Sequence, residues 1–345
     1  METKISVIIP VYNREDLLKR SVESVINQSI GFENIELIIV DNKSTDNTRT
    51  VMKAYKEKYD NVTLVFREEN SGSPNIPRNN GIEIAKSKYV MFLDSDDTYN
   101  TYTCEYLYDA IEENDVDFAD CWSRSATVNN LKEYSKHTLQ GYTCHTHTHN
   151  NVIYGGIWNK IYKKSFLDNY NIRFLDHGHA EDVYFSLLSY AKVNKWLEVK
   201  YVGYFHYLNN NSLTLDENFS IGVLEGIDFT YRMLEKEKPY LNKISLEGLH
   251  IFLLPSLKSS KNVINIKKYG YLFKKYDDLG LCDDLSLLLK ILMKIASHNF
   301  SFLINLSSII KKLKINNILE NRKIKSAMAN TNGRSNEDYD YFFGE

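Results

Sequence analysis

The sequence is poor in the residues that would support several common classes of protein. It has 15 glycines and 5 prolines in 345 residues, which leaves no room for a long low-complexity linker. The cysteines are scattered and form no Cys-x-x-Cys pair, so they indicate reduced thiols in the cytosol and not a disulfide framework. They are Cys104, Cys121, Cys144 and Cys282.

Long apolar runs and a strong charge of either sign are also missing. No stretch approaches the roughly 20 apolar residues that cross a bilayer as a helix. The first apolar run, residues 5–11, contains Pro10 and is predicted to be a strand and not a signal peptide. A net charge of −3 argues against a nucleic-acid binder, which needs a basic face. We expect a cytoplasmic protein, with peripheral contact at the inner face of the membrane left open.

What is present is a regular alternation of strand and helix patterns in the first hundred residues. Apolar runs predict strands at 5–11, 35–40, 62–66 and 89–93. Amphipathic or helix-forming segments lie between them, at 14–28, 44–59 and 77–86. Ser44 or Thr45 is predicted to cap the second of these helices. The pattern predicts an α/β fold with a mainly parallel sheet flanked by helices.

Polar and aromatic residues follow the predicted strands. They are Pro10, Tyr12 and Asn13 at the first strand, Asp41 at the second, and Asp94 and Asp96 at the fourth. Open α/β sheets bind ligands at the carboxyl ends of their strands. Two carboxylates one residue apart suit Mg²⁺ or Mn²⁺ shared with a diphosphate, although such acids also cap helices. With no Gly-x-Gly-x-x-Gly and no P-loop motif, we predict a nucleotide-diphosphate pocket of another kind.

Three segments in this order resemble the signatures of bacterial family 2 glycosyltransferases with the GT-A fold. They are VIIPVYN at 7–13, IIVDNKSTD at 38–46 and FLDSDD at 92–97. The likeness covers roughly residues 4–215 and implies a metal-dependent transfer of sugar from a UDP-sugar. Residues 69–81 are similar to a segment of the subgroup that decorates wall teichoic acid and related surface polymers.

The resemblance implies roles for individual residues at the donor. The nucleotide-sugar contacts would be Pro10, Tyr12, Asn13, Asp41, Asn70, Arg78, Asp94 and Ser95. Asp96 would ligate Mn²⁺ or Mg²⁺ bridging the two phosphates, where the metal neutralises charge that develops on departing UDP. His206 is a second candidate metal ligand, and contact with phosphate or simple packing are left open for it.

The resemblance also implies a catalytic base. Asp182, in the segment HAEDVYF at 179–185, would take the proton of the acceptor hydroxyl, with Glu181 orienting the acceptor. Acids in the first turn of a helix also gain from its dipole, which is the structural alternative. A single base and one displacement imply inversion at the anomeric carbon.

A third set of residues is expected to border the acceptor. The resemblance places Trp158, Asn159 and Lys160 there, while a core position for Trp158 is equally compatible with the sequence. The three histidines of CHTHTH, at 145, 147 and 149, would share one face of a strand. A solvated edge is favoured for them over acceptor contact or a metal site.

The character of the chain changes after residue 215. We predict a glycosyltransferase domain at 1–215, a helical region at 216–325 and a flexible acidic tail at 326–345. Helical spacing is present at 221–234, 245–257 and 285–310. The basic amphipathic stretch within 285–314 suits either a membrane surface or packing and homo-oligomer contact, and packing is slightly favoured.

The sequence therefore predicts a metal-dependent, inverting hexosyl- or N-acetylhexosaminyltransferase. The expected partners are a UDP-sugar donor and a glycan or polyol-phosphate acceptor of the bacterial surface, without nucleic acid. A nucleotidyltransferase also uses paired acids on a metal, but the phosphate loop expected after its first strand is missing. The non-enzyme alternative is a nucleotide- or glycan-binding scaffold with an inactive GT-A site.

Overall fold

The computed structural model describes the larger part of the first two hundred residues and short stretches after them. The described residues are 2–126, 131, 138–146, 156–176, 181–207, 224–229, 231–232, 235, 268–278, 291 and 293–298. The chain divides into two compact units, the first made of Met1–Asn151, Gly156–His177 and Lys192–Asn209 and the second of the remaining residues.

The described ranges contain strands in the first unit and helices in both. The strands are β1 (Ile5–Val11), β2 (Ile35–Asp41), β3 (Val62–Phe66), β4 (Tyr89–Phe92), β5 (Thr98–Tyr99), β6 (Phe118–Ser125), β7 (Tyr142–Thr146), β8 (Lys160–Lys163) and β9 (Lys195–His206). The helices are α1 (Leu18–Ile26), α2 (Thr48–Lys58), α3 (Asn75–Ile84), α4 (Thr103–Asn114), α5 (Lys164–Asn169), α6 (Glu181–Lys192) and α7 (Gly270–Asp278). A 3₁₀ turn covers Phe32–Asn34.

The strands form one mixed sheet in the order β3-β2-β1-β4-β8-β6-β9-β5, with β7 paired to β9. The first four are parallel, as the alternation of strands and helices predicts. Strand β8 is antiparallel to both β4 and β6, and β6 is parallel to β9. The carboxyl ends of β1, β2, β4, β6 and β9 therefore lie at the same edge of the sheet.

Burial explains why the first strands were readable from the sequence. Every residue of β1 and β2 is buried, so both read as continuous apolar runs, as expected of strands covered on both faces. Each large aliphatic side chain buried there contributes about 1.5–3 kcal/mol to folding. Helix α3 approaches β1 closely at Gly81, where an added Cβ would collide with the side chain of Ile8.

One helix start predicted from the sequence is wrong. Helix α2 begins at Thr48 and not at Ser44 or Thr45. The hydroxyl of Ser44 instead accepts a hydrogen bond from the backbone N–H of Asn13, 2.9 Å away. The N-cap residue is Asn47, which makes no side-chain capping hydrogen bond. Asp46, one residue earlier, accepts at Oδ1 from the backbone N–H of Thr48 at 3.0 Å.

The predicted helical region is described only in parts. Residues 224–229, 231–232, 235, 270–278, 291 and 293–298 are helical. The predicted helix at 245–257 and the predicted tail at 326–345 lie outside the described residues, as does most of 285–314. Within the part that is described, no helix is both long enough and apolar enough to span a membrane.

Candidate active site

Two acids that follow β4 are paired with arginines. Arg78, in α3, donates from Nη2 to Oδ1 of Asp94 at 2.7 Å. Arg14, in the segment after β1, lies with Nε 3.8 Å from Oδ2 of Asp96. The side chains of Asp94 and Asp96 keep 28% and 20% of their exposure, whereas Ser95 between them is buried. The two predicted donor-site carboxylates are therefore reachable from solvent.

The third acid, Asp97, is fully buried and accepts three hydrogen bonds from β9 and the residue after it. They come from the hydroxyl of Tyr204 at 2.5 Å, Nδ1 of His206 at 2.9 Å and the backbone N–H of Tyr207 at 2.8 Å. We call residues 94–97 the acidic loop. These contacts connect the acidic loop to the end of β9, which is separated from β4 in the sheet by β8 and β6. Sequence reasoning missed this role of Asp97, because its partners lie more than a hundred residues further along the chain.

The hydrogen bond to Asp97 also affects the pKa of the His206 ring. Burial alone would lower the pKa of His206, but the hydrogen bond and charge of Asp97, together with Asp94 and Asp96, outweigh it and raise the pKa. Nδ1 is the ring nitrogen that lies against Asp97, 2.9 Å from its Oδ2. A carboxylate behind a histidine in this way orients many metal-binding histidines. The predicted metal role of His206 stays a prediction.

At the ends of β1 and β2, Asn13 joins two loops. Its φ of +50° turns the chain sharply, and its Oδ1 accepts from the backbone N–H of Thr45 at 2.8 Å. Asp41, fully buried, accepts from the backbone N–H of Ser44 at 3.0 Å and from Nε of Arg49 at 2.5 Å. Asp41 is thus engaged by the protein itself, and its predicted nucleotide contact stays a prediction.

Next to Asp41, Asn42 organises the segment before α3. Its Nδ2 donates to Oδ1 of Asn70 at 3.1 Å, and its Oδ1 accepts from Nη1 of Arg67 at 2.5 Å and from the hydroxyl of Ser71 at 3.1 Å. Asn42 is buried, so these bonds fix the position of Asn70. No sequence pattern indicates this role, apart from the place of Asn42 directly after β2.

The other two predicted nucleotide contacts differ in exposure. Pro10 lies within β1, opposite Val40 of β2, and is buried. Tyr12, directly after β1, is 42% exposed. An exposed ring at this edge offers a face on which a planar base can stack.

The three predicted acceptor residues are buried. The ring of Trp158 stacks on Tyr204 with centroids 4.3 Å apart. Asn159 donates to the carbonyl of Cys121, and Nζ of Lys160 donates to Oδ1 of Asn159 at 3.2 Å. Through Tyr204, this block supports Asp97 and the acidic loop. Contact with an acceptor stays a prediction.

The remaining predicted residues lie elsewhere. Glu181 and Asp182 are the first two residues of α6 and belong to the second unit, with Asp182 half-buried. His145, in β7, has Nε2 3.0 Å from Oε2 of Glu198 and its ring stacked on Trp196. These contacts account for His145 by packing and hydrogen bonding. The other two histidines of that motif, at 147 and 149, lie outside the described residues.

The acids fit one way of holding a divalent ion. Across the described ranges, no three His, Cys, Asp or Glu side chains converge as a metal cage. Mg²⁺ is commonly held by one or two carboxylates together with substrate phosphates, and not by a cage made only of protein groups. The exposed carboxylates of Asp94 and Asp96, on one loop, provide that kind of donor set.

Several known proteins are similar to this chain in sequence. Residues 6–177 match the family model described as glycosyl transferase family 2. The chain is 35% identical over 196 residues to poly(ribitol-phosphate) beta-glucosyltransferase of Bacillus spizizenii, covering 56% of this chain but only 30% of that protein. It is 29% identical over 289 residues to poly(ribitol-phosphate) beta-N-acetylglucosaminyltransferase TarP of Staphylococcus aureus, covering 80% of this chain and 84% of TarP.

A solved structure has the same fold as this chain. The crystal structure of S. aureus TarS 1-349 in complex with UDP-GlcNAc superimposes with a TM-score of 0.68, at 19% sequence identity, covering 90% of this chain and 92% of that one. This likeness establishes the fold, and the family model establishes the kinship of residues 6–177. The chain therefore belongs to glycosyl transferase family 2 and has the GT-A fold that the three motifs predict.

Proposed function

We propose that this chain is a metal-dependent, inverting glycosyltransferase that moves a sugar from a UDP-sugar to a hydroxyl of a polyol-phosphate or related surface glycan. The observation that carries the proposal is the pairing of Arg78 with Asp94 beside Asp96, at the carboxyl edge of a GT-A sheet. A guanidinium and two reachable acids provide what a metal-bound diphosphate requires.

In this proposal the donor lies along the carboxyl ends of β1, β2 and β4. Tyr12 stacks on the uracil, with Pro10 and Asp41 beside the base and ribose. Asn70 and Asn13 line the nucleotide from the loops that they order. Arg78 contacts the diphosphate, and Asp94 contacts the ribose or the transferred sugar.

Asp96 would hold the divalent ion, with His206 as a second candidate ligand. When bound, the metal supplies positive charge that stabilises the departing diphosphate. Ser95 is buried between the two acids, and in this proposal it contacts the nucleotide-sugar. Asp97 anchors the loop from behind, so that Asp96 faces solvent while its neighbour faces the core.

Asp182 acts as the base. The acceptor hydroxyl gives its proton to the Asp182 carboxylate, its oxygen bonds to the anomeric carbon, and the bond from that carbon to UDP breaks. Attack from the face opposite UDP inverts the anomeric centre. Glu181 orients the acceptor, and the block Trp158–Lys160 borders the acceptor side.

The names of the relatives support the substrate class. TarP and the Bacillus enzyme are both named for transfer to poly(ribitol-phosphate), and the S. aureus TarS structure carries UDP-GlcNAc. We propose a UDP-hexose or UDP-N-acetylhexosamine as donor and a polyol-phosphate polymer as acceptor for this chain.

The test is UDP release from a panel of UDP-sugars, with Mn²⁺, with EDTA, and with Asp96→Ala as control. We expect metal-dependent turnover of one donor that is lost in the variant and is accelerated by a poly(ribitol-phosphate) acceptor. Calorimetry with UDP on the same samples separates an enzyme with a strict acceptor requirement from a protein without a donor site. Absence of UDP binding in the presence of Mn²⁺ would overturn the proposal.

A second variant separates catalysis from a binding scaffold. Asp182→Asn is expected to bind UDP as the wild type does and to lose transfer to the acceptor. A scaffold with an inactive site would show no transfer in the wild type either, under any donor and acceptor combination.

A further inference from the structure

We infer that Arg14 couples metal binding to nucleotide binding, because its guanidinium competes with the metal for Asp96 and is taken up by the diphosphate. The inference rests on the proposed function, since it needs a metal and a diphosphate at this edge of the sheet. It concerns a residue that the three sequence motifs leave out.

The first observation is the place of Arg14. Its Nε lies 3.8 Å from Oδ2 of Asp96, on the carboxylate that would ligate the metal. A doubly charged ion bound to the same oxygen would meet the guanidinium at short range. Two like charges at this separation repel each other, even at the high effective dielectric of a partly exposed site. The metal and the Arg14–Asp96 pair therefore exclude each other.

The second observation is that the backbone of Arg14 is hydrogen-bonded to α2, whereas its guanidinium is partly exposed. Its backbone N–H donates to Oγ1 of Thr48 at 2.9 Å, which fixes the start of the side chain against α2. Its Nη1 donates to the carbonyl of Asn13 at 3.1 Å. The side chain is 30% exposed, so the guanidinium has room to move toward an anion beside Asp96.

Two neighbouring arginines show the contrast. Arg78 is 5% exposed and bonds its acid at 2.7 Å. Arg20 donates to the backbone carbonyl of Asp96 and lies over the ring of Tyr207, 3.4 Å from the centroid. Arg78 thus makes a short, buried contact with Asp94, and Arg20 contacts the backbone of Asp96. Arg14 is the one of the three whose contact lies on the carboxylate of Asp96, and that contact is long and partly exposed.

A positive coupling follows from these contacts. A metal that binds alone must separate Arg14 from Asp96, which weakens its binding. When a diphosphate is present, the released guanidinium gains an anionic partner with oxygens suited to its paired N–H groups. Each ligand then strengthens binding of the other by the same factor.

The experiment measures Mn²⁺ binding by electron paramagnetic resonance of the free ion, with and without saturating UDP. The variants are Arg14→Gln and, as a matched control, Lys19→Gln, which removes the same charge from an exposed position in α1. We expect Arg14→Gln to bind Mn²⁺ alone about twofold to fivefold more tightly, the range for a partly exposed ion pair. We also expect UDP to strengthen its Mn²⁺ binding by a factor at least about threefold smaller than in the wild type.

Lys19→Gln is expected to leave both quantities at their wild-type values, and Arg14→Lys to retain coupling of the same sign. Unchanged coupling in Arg14→Gln, or an equal loss in Lys19→Gln, would overturn the inference and leave the proposed function standing. A wild type that binds neither UDP nor Mn²⁺ would instead overturn the proposed function. If Arg14→Gln does not fold, Arg14→Ala replaces it as the variant without the charge, and Arg14→Lys remains the variant that keeps the charge.

Discussion

The two halves of the sheet are built differently, although both contribute to the candidate site. From β1 to β4 the strands are parallel, mainly apolar and joined by helices. Within them, Ser6 of β1 donates a hydrogen bond to the buried Glu36 of β2 at 2.6 Å, and the predicted donor acids follow the carboxyl ends of the strands. From β6 to β9 the strands run in both directions and carry buried polar side chains within them, such as Lys160 and Glu198. The first half carries the predicted donor acids, and the second half holds them in position.

The acidic loop is where the two halves meet. Asp96 is partly exposed and paired with Arg14, which comes from the first half. Asp97 is buried and bonded to Tyr204 and His206, from the second half. Adjacent acids thus have different surroundings: the Asp96 carboxylate is partly exposed to solvent, whereas the Asp97 carboxylate is buried among protein donors. Substitutions in each half of the sheet test this difference between the two halves.

The largest effect is expected from Asp96→Ala. If Asp96 is the proposed metal ligand, its loss should lower metal-dependent UDP release by about a thousandfold, since metal stabilisation of a leaving diphosphate contributes several kcal/mol. Thermal unfolding should stay near the wild-type temperature, because the side chain is partly exposed. Asp16→Ala, at an exposed acid before α1, is the control that should keep full activity. Equal loss in both variants would contradict the assignment.

Asp97→Asn should act on stability. The carboxylate accepts three hydrogen bonds in the core, and an amide of similar shape cannot accept them all. We expect a loss of about 3 kcal/mol in the free energy of unfolding, the size found when one member of a buried charged pair is removed. Urea denaturation measures it. A loss below that of a surface acid such as Asp16→Asn would show that Asp97 does not hold the halves together.

Gly81→Ala tests the packing of the first half alone. The added methyl would collide with Ile8 of β1, so we expect a loss of about 1–3 kcal/mol, as for other overpacked cores. Ile8→Ala also destabilises, by removing buried volume. The double variant should lose less than the sum of the two single losses, because the collision disappears. Strict additivity in urea denaturation would contradict the close approach.

The smallest effect is expected from Tyr12. Replacement by Ala should weaken UDP binding roughly tenfold, since stacking of a base on an aromatic ring contributes about 1–3 kcal/mol. Tyr12→Phe keeps the ring and should bind UDP as the wild type does, which makes it the matched control. Calorimetry with UDP and Mn²⁺ gives both values. If the Phe and Ala variants are equally weak, the hydroxyl and not the ring face makes the contact.

Much of the first half could be predicted from the sequence. The bounds of β1 and β3 agree with the apolar runs, and the acids lie at the carboxyl edge as their place after β4 implies. Local patterns suffice for β1 and β2 because every residue of these strands is buried, and the consecutive strands β1, β2 and β3 are neighbours in the sheet. The start of α2 was missed because Ser44 is occupied by Asn13, a contact that no local pattern reports.

Local sequence patterns are enough to predict a parallel α/β half-sheet with mainly apolar strands and a row of acids, with Tyr12, at one edge. The partner of each acid is visible only in the folded chain: Arg78 for Asp94, Arg14 for Asp96, and Tyr204 with His206 for Asp97. The difference arises from the distance along the chain between the groups involved. Burial patterns and strand ends are local properties of the chain, whereas these ion pairs and hydrogen bonds depend on strand order and on contacts between distant segments.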